Sequence, residues 1–259
     1  MSKYPKKTEY FSSFSQDFDH GAFPEKKTDG NYNYEKSSFS FRVLRFFLYR
    51  IIATPAALIY TRIILRDKVY GKEKLRKFKK QGYFIYANHT RAAADAFSPN
   101  TAIFPKRGHI IVSSKNLSIP VLGRLIPYLG AIPIPTERSA VRNFSRAIEN
   151  KIKSSDAVII YPEAHLWPFM KDLRPFDASS FIYPIRTAAP VFTLTRTYKK
   201  TKRGYRCELY IDGPFFPDAS LCPGQAKEKL LEEVRSSMEH RCALSDIEVI
   251  RYEKRSDTE

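Results

Sequence analysis

One stretch of this sequence carries the residues of a general base and its partner. Phe84-Ile85-Tyr86-Ala87-Asn88-His89-Thr90-Arg91-Ala92-Ala93-Ala94-Asp95 leads from an apolar, aromatic run into a His and then, with five residues between, an Asp. A histidine titrates near neutrality, so it can take a proton from a hydroxyl. A carboxylate nearby fixes its tautomer and stabilises the imidazolium that forms. The run Tyr83–Ala87 reads as a short buried strand, and strand ends are where open α/β sheets keep their chemistry. The same pair also reads as a satisfied structural contact, since a His near an Asp occurs by chance in many chains. Six positions on a regular helix place two side chains about 120° apart, so a loop must turn before any helix begins, with a bulge expected near Ala92–Ala94.

Elements that could hold such a pair follow from the hydrophobic pattern. Strands are expected at Tyr83–Ala87, His109–Val112, Ala131–Ile134, Ala157–Tyr161, Val191–Thr197 and Cys207–Ile211. Between them, Thr136 to Lys153 places Val141, Phe144, Ile148 and Ile152 on one helical face, and Gln225 to Arg241 does the same with Leu230, Leu231, Val234 and Met238. This alternation predicts an α/β domain over 82–259, with a mostly parallel sheet flanked by helices.

Ahead of it the chain changes character twice. Residues 1–38 are polar, Lys-rich and dotted with Tyr and Phe, without apolar periodicity or a signal-peptide core; they read as a poorly ordered or loosely docked arm. Phe39 to Leu65 is strongly apolar but interrupted by Arg42, Arg45, Arg50 and Arg62, and divided by Pro55. Its uncharged run, Ile51 to Thr61, is far short of the roughly 20 residues of a spanning helix. Two helical pieces broken near Pro55 are expected, lying on a membrane with arginines snorkelling to lipid phosphates; a buried helical hairpin is the alternative. With the basic connector Arg66 to Gln81, which is otherwise a solvated face, residues 39–81 form a membrane-docking motif.

Composition narrows the partners. Lys+Arg number 44 against 27 Asp+Glu, a net charge of +17, which points to phosphate-bearing surfaces. No nucleic-acid-binding module accompanies that charge, so an anionic membrane is favoured over nucleic acid. Cys207, Cys222 and Cys242 are odd in number and widely spaced, which fits neither a disulfide framework nor a metal site.

Downstream blocks raise the odds on chemistry. After Asn88-His89 and Asp95 come Ser114-Lys115-Asn116-Leu117-Ser118-Ile119-Pro120-Val121-Leu122-Gly123, then Leu129-Gly130-Ala131-Ile132-Pro133-Ile134, Tyr161-Pro162-Glu163-Ala164 and Ala189-Pro190-Val191-Phe192. In that order, over about Tyr83 to Tyr198, they resemble the four blocks of the glycerolipid acyltransferase family, which includes the bacterial 1-acylglycerol-3-phosphate acyltransferases. The resemblance implies a two-helix membrane-docking motif beside an α/β domain. It also implies that His89 deprotonates a glycerol hydroxyl, that Asp95 orients His89, that Glu163 positions the acceptor's glycerol part, and that Lys115 with a cation after Gly130 holds its phosphate. No metal or redox cofactor is implied, because the co-substrate, an acyl-CoA or acyl carrier protein thioester, is already activated.

Three departures from the family pattern stand out. Five residues separate His89 and Asp95 where the family has four. Arg91 replaces the usual Ser, and reads equally as a phosphate ligand or a solvated surface residue. Ala164-His165-Leu166 replaces the usual Gly-Thr-Arg, leaving Arg174 or Arg138 as substitutes for the missing phosphate-binding Arg. His165, beside Leu166 and Trp167, reads more readily as structural than as a second acid–base group. A hydrolase is disfavoured because no Gly-x-Ser-x-Gly elbow is present. The expected function is transfer of an acyl group to the free hydroxyl of 1-acylglycerol 3-phosphate, giving phosphatidate, at the cytoplasmic face of a bacterial cell membrane. Acylation of another lysophospholipid or of glycerol phosphate, and a non-catalytic lipid-binding role, are the alternatives.

Overall fold

A computed structural model describes residues 4–18, 23–202 and 204–255; parts of the N-terminal arm, 1–3 and 19–22, and the end of the α/β domain, 256–259, lie outside the described residues. In chain order the main elements are β1 (Thr8–Phe11), helix α1 (Phe39–Ile64), β2 (Lys68–Tyr70), β3 (Tyr83–Ala87), α2 (Ala92–Ala102), β4 (Gly108–Val112) and β5 (Ile132–Pro133). They continue with α3 (Val141–Lys153), β6 (Ala157–Ile160), β7 (Val191–Thr201), β8 (Gly204–Phe215), α4 (Pro223–Cys242) and β9 (Arg251–Lys254).

Seven strands form one sheet in the order β2-β8-β7-β3-β6-β4-β5. The run from β7 to β5 is parallel, and only β7 and β8 pair antiparallel. Strands covered on both faces must be apolar at every position, and all five residues of β3 are buried. On one face Phe84, Tyr86, Val158 and Ile160 pack with Phe144 and Ile148 of α3 and Leu230, Val234 and Met238 of α4. On the other, Tyr83, Ile85 and Ile159 pack with Ala102 and Ile103 at the end of α2. The sheet starts earlier than the boundary at residue 82, because β2 lies inside the basic connector and pairs with β8.

Two expectations are corrected. The arm is docked: β1 pairs with β9 in parallel, Phe11 and Phe18 close on the fully buried Trp167, and Thr28 and Thr136 exchange backbone N–H to hydroxyl bonds of 2.9 Å. Its aromatics are aperiodic because each fills a separate niche, which no periodicity test detects. The apolar segment, in turn, is one helix and not two. Around Pro55 the backbone widens into π-helical turns, Phe47–Ala53 and Tyr60–Ile64, and both the N–H and the hydroxyl of Thr54 donate to the Tyr49 carbonyl. The wider turn makes room for the ring and for the missing donor that would otherwise break the helix. By length and composition the 26-residue α1 is long and apolar enough to cross a membrane.

His109 lies at the lower edge of the sheet with Nδ1 3.2 Å from the Gly130 carbonyl and Nε2 3.0 Å from Asp156; both are acceptors, and the neutral ring donates its one N–H to only one of them at a time. Burial pushes its pKa down, against the opposing pull of Asp156. Below the ordinary histidine pKa the unfolded chain therefore binds a proton that the folded chain refuses, and stability falls as pH drops. The melting temperature of the wild type is expected to fall from pH 7 to pH 5, and to fall less steeply in His109→Gln; equal slopes would remove His109 as the cause.

Candidate active site

The carboxyl ends of β3, β6 and β4 point the same way, so the loops after them share one edge of the sheet. β3 ends at Ala87, and Asn88 clamps it to β7: its side chain accepts from Arg196 N (2.8 Å) and donates to Arg196 O (3.0 Å). The next residue, His89, leaves the sheet with its side chain 23% exposed, enough to be reached from outside. Its ring stacks on Tyr161, centroids 4.5 Å apart. Burial holds the Tyr161 phenol well above its ordinary pKa, and it donates to the Asp95 carbonyl at 2.6 Å.

His89 and Asp95 meet, Nδ1 to Oδ2, at 2.9 Å. The five-residue spacing is accommodated before the helix: Arg91 is the extended N-cap, α2 runs regularly from Ala92, and no bulge occupies Ala92–Ala94. Asp95, in the first turn, reaches back so that the same Oδ2 also accepts from Thr90 N (3.0 Å) and Arg91 N (2.8 Å). A carboxylate only accepts, so Nδ1 of His89 is the donor and Nε2 keeps its lone pair for a proton.

Arg196, a residue that the sequence pattern did not single out, stands behind Asp95. Its Nη2 lies 3.5 Å from Asp95 Oδ1 and its Nη1 3.2 Å from Asp67 Oδ2, with all three side chains 4% exposed or less. Burial works against its charge, yet Asp95 and then Asp67 hold its pKa above the ordinary value. Its signal in the sequence was a lone Arg in an apolar strand, which demands a buried counter-charge.

Glu163 follows β6 and is also fully engaged. Oε2 accepts from His89 N (2.8 Å) and Arg174 Nη2 (3.0 Å), and Oε1 from Arg174 N (2.8 Å). Glu163 thus braces the His89 backbone, and the buried Arg174 neutralises it under the Trp167 ring. Both side chains are buried and paired with each other, so in this structure neither lies on an open surface. Arg91 turns away toward Cys207 Sγ (3.1 Å) and the Phe169 ring. His165 faces Asp17 of the arm at 3.8 Å. The backbone keeps the turn that glycine would favour after Glu163: Ala164 sits at φ 62°, a left-handed conformation that costs a non-glycine residue about 1–2 kcal/mol.

Lys115 and Arg138 are exposed on the loops after β4 and β5. In the sheet order these are two and three strands from β3, roughly 10 and 14 Å across. The strand that leads to Lys115 is thus nearer β3 than the one that leads to Arg138. Among the described residues no His, Cys, Asp and Glu group could hold a metal ion.

Comparison with known proteins places this geometry. No curated protein sequence matches the chain. Among solved structures it is similar to the 1-acyl-sn-glycerophosphate (LPA) acyltransferase PlsC from Thermotoga maritima, with a TM-score of 0.55 and 20% identity over 79% of this chain and 88% of that one. That likeness shows a shared α/β fold. The family model described as Acyltransferase matches residues 66–196, which run from the residue before Asp67 to Arg196 and so contain the whole His89 environment. With just over half of its length matched in this way, the chain belongs to the acyltransferase family.

Proposed function

We propose that this acyltransferase moves a fatty acyl group from a thioester, on CoA or acyl carrier protein, to the free hydroxyl of 1-acylglycerol 3-phosphate. The observation that carries the reading is the partly exposed His89, oriented through Nδ1 by an Asp95 that is itself held by two backbone N–H groups and Arg196. Nε2 takes the proton of the acceptor hydroxyl as its oxygen attacks the thioester carbonyl. When the tetrahedral intermediate collapses, the C–S bond breaks and the imidazolium returns the proton to the departing thiolate. We assign the acceptor phosphate to Lys115, an exposed cation on the loop after β4.

Membrane docking through α1 fits a lipid substrate. Phe46, Phe47, Ile51, Ile52, Ile59, Ile63 and Ile64 are all more than half exposed, while Tyr49, Ala57 and Thr61 pack inward. Phe41 packs on Tyr128 near its start, Tyr49 bonds Asn100 at its middle and Thr61 bonds Thr101 near its end, so the helix is held against the α/β domain along its length. A helix fastened along its length to a globular domain lies in the interface and does not cross the bilayer. We place the protein on the cytoplasmic face of a bacterial cell membrane.

The burial of Arg174 favours, as a second reading, an acceptor other than lysophosphatidate. The deciding assay presents acyl-CoA and acyl carrier protein thioesters with lysophosphatidate, glycerol 3-phosphate and lysophosphatidylglycerol, and follows the acylated product. The highest kcat/KM is expected with lysophosphatidate. Turnover confined to another acceptor would keep the chemistry and replace the substrate, and no turnover with any pair would favour a lipid-binding role.

A further inference from the structure

At the opposite edge of the sheet from His89, several cations converge without an ion-paired carboxylate among the described residues. Arg45 of α1, Lys151 in the last turn of α3 and Lys36 before α1 line a small cavity of about 40 Å³, with His109 and Gly130 on its wall. Arg107 stands beside it, its guanidinium 4.9 Å over the Tyr49 ring. The Nε atoms of Arg45 and Arg107 are buried without a hydrogen-bond partner. The carboxylates whose charge reaches Lys151, Glu35 and Asp156, are engaged with Asn150 and His109. Lys151 and Arg107 are both held below their ordinary pKa, by burial first and then by the charge of Arg45.

Like charges gathered in a low-dielectric site destabilise a fold unless an anion joins them. The site is separate from the proposed catalytic one. His109 is level with Val158, and Val158 with Phe84, five residues or roughly 16 Å along the strand from His89. Its mouth continues, through Asn33, Lys36 and Phe41, into an open groove of about 470 Å³ bordered by Ser38, Leu44 and Tyr128. Leu44 and the neighbouring Phe39, 45% and 81% exposed, belong to the apolar surface of α1, so the groove runs from the cations to that surface.

We propose that this cavity binds a phosphate group, carried either by the headgroup of an anionic membrane lipid or by free phosphate, at a site distinct from the acyl-transfer centre. Arg and Lys from three separate elements suit a small oxyanion with several acceptor oxygens. A phosphate held there would pin α1 to α3 and to the segment before α1.

The test uses the full chain in phosphate-free buffer, with Arg45→Gln/Lys151→Gln against Lys200→Gln/Lys254→Gln, an exposed pair of equal charge change. Thermal melting is followed with inorganic phosphate and with chloride at matched ionic strength. Co-sedimentation is followed with phosphatidylcholine vesicles, with and without phosphatidylglycerol. Wild type is expected to melt higher in phosphate, or to prefer the anionic vesicles, or both. The cavity variant loses that response, about tenfold in vesicle affinity, while the exposed pair keeps most of it. A response to phosphate alone identifies free phosphate, and one to anionic vesicles alone identifies the headgroup. Without any anion, the cavity variant should melt at or above wild type, because a repulsion has been removed. The proposal falls if wild type responds to neither anion, if both variants lose equally, or if the cavity variant melts well below wild type without phosphate.

Discussion

Replacing His89 by Ala is expected to lower acyl transfer by about 10²–10⁴-fold, the usual contribution of a positioned general base. The loss should fall on kcat rather than KM, because the imidazole acts on the hydroxyl as it attacks and makes no use of the rest of the acceptor. Stability should change by only about 1 kcal/mol, since the ring is at the surface and the backbone N–H of residue 89 still donates to Glu163. Steady-state kinetics on the best acceptor, together with a thermal melt of the same sample, checks both halves. An intact melt with undiminished turnover would dismiss His89 as the base. Asp95→Asn separates the partner's role: the amide oxygen can still accept hydrogen bonds, but it carries no charge to stabilise the His89 imidazolium or to balance Arg196, so it should cost activity and some stability together.

Arg196→Met is expected to be the most damaging single change to the fold. It leaves Asp95 and Asp67 buried with no cation between them, a situation that costs about 3–5 kcal/mol. For a chain of this size that is a fall of roughly 10 °C in melting temperature. Asp67→Asn in the same background removes one of the stranded charges and should recover part of the loss, although it also disturbs the bond from Ser98. Activity should not recover with it, because Asp95 still lacks its counter-charge and His89 its fixed partner. Melting curves and kcat for the wild type, the single and the double variant make this visible; a single variant as stable as wild type would show that the buried pair carries no such cost. Arg196→Lys keeps one charge but cannot fork between two carboxylates, and should fall between the two.

These expectations separate what can be read in a linear chain from what cannot. The apolar runs at Tyr83–Ala87 and Ala157–Ile160, with amphipathic α3 and α4, determined an α/β sheet buried on both faces, because periodicity of burial is a local property. The order of blocks around His89, Lys115 and Glu163 likewise lay in the sequence, because it is a matter of residue type and spacing. The partners of those residues did not. Arg196 lies about a hundred positions from Asp95 and meets it only because β7 pairs with β3, and Arg174 is sequestered only because the chain folds back under Trp167. Whether an arginine faces a ligand or a buried carboxylate depends on strand order and burial, and neither is a property of its neighbours in sequence. The unbroken course of α1 through Pro55 was equally hidden, because a proline can end a helix or be taken up in a widened turn, and residue type alone does not choose between them. The residue types decided the chemistry this chain can attempt, and the tertiary structure decided which of its charges remain available to attempt it.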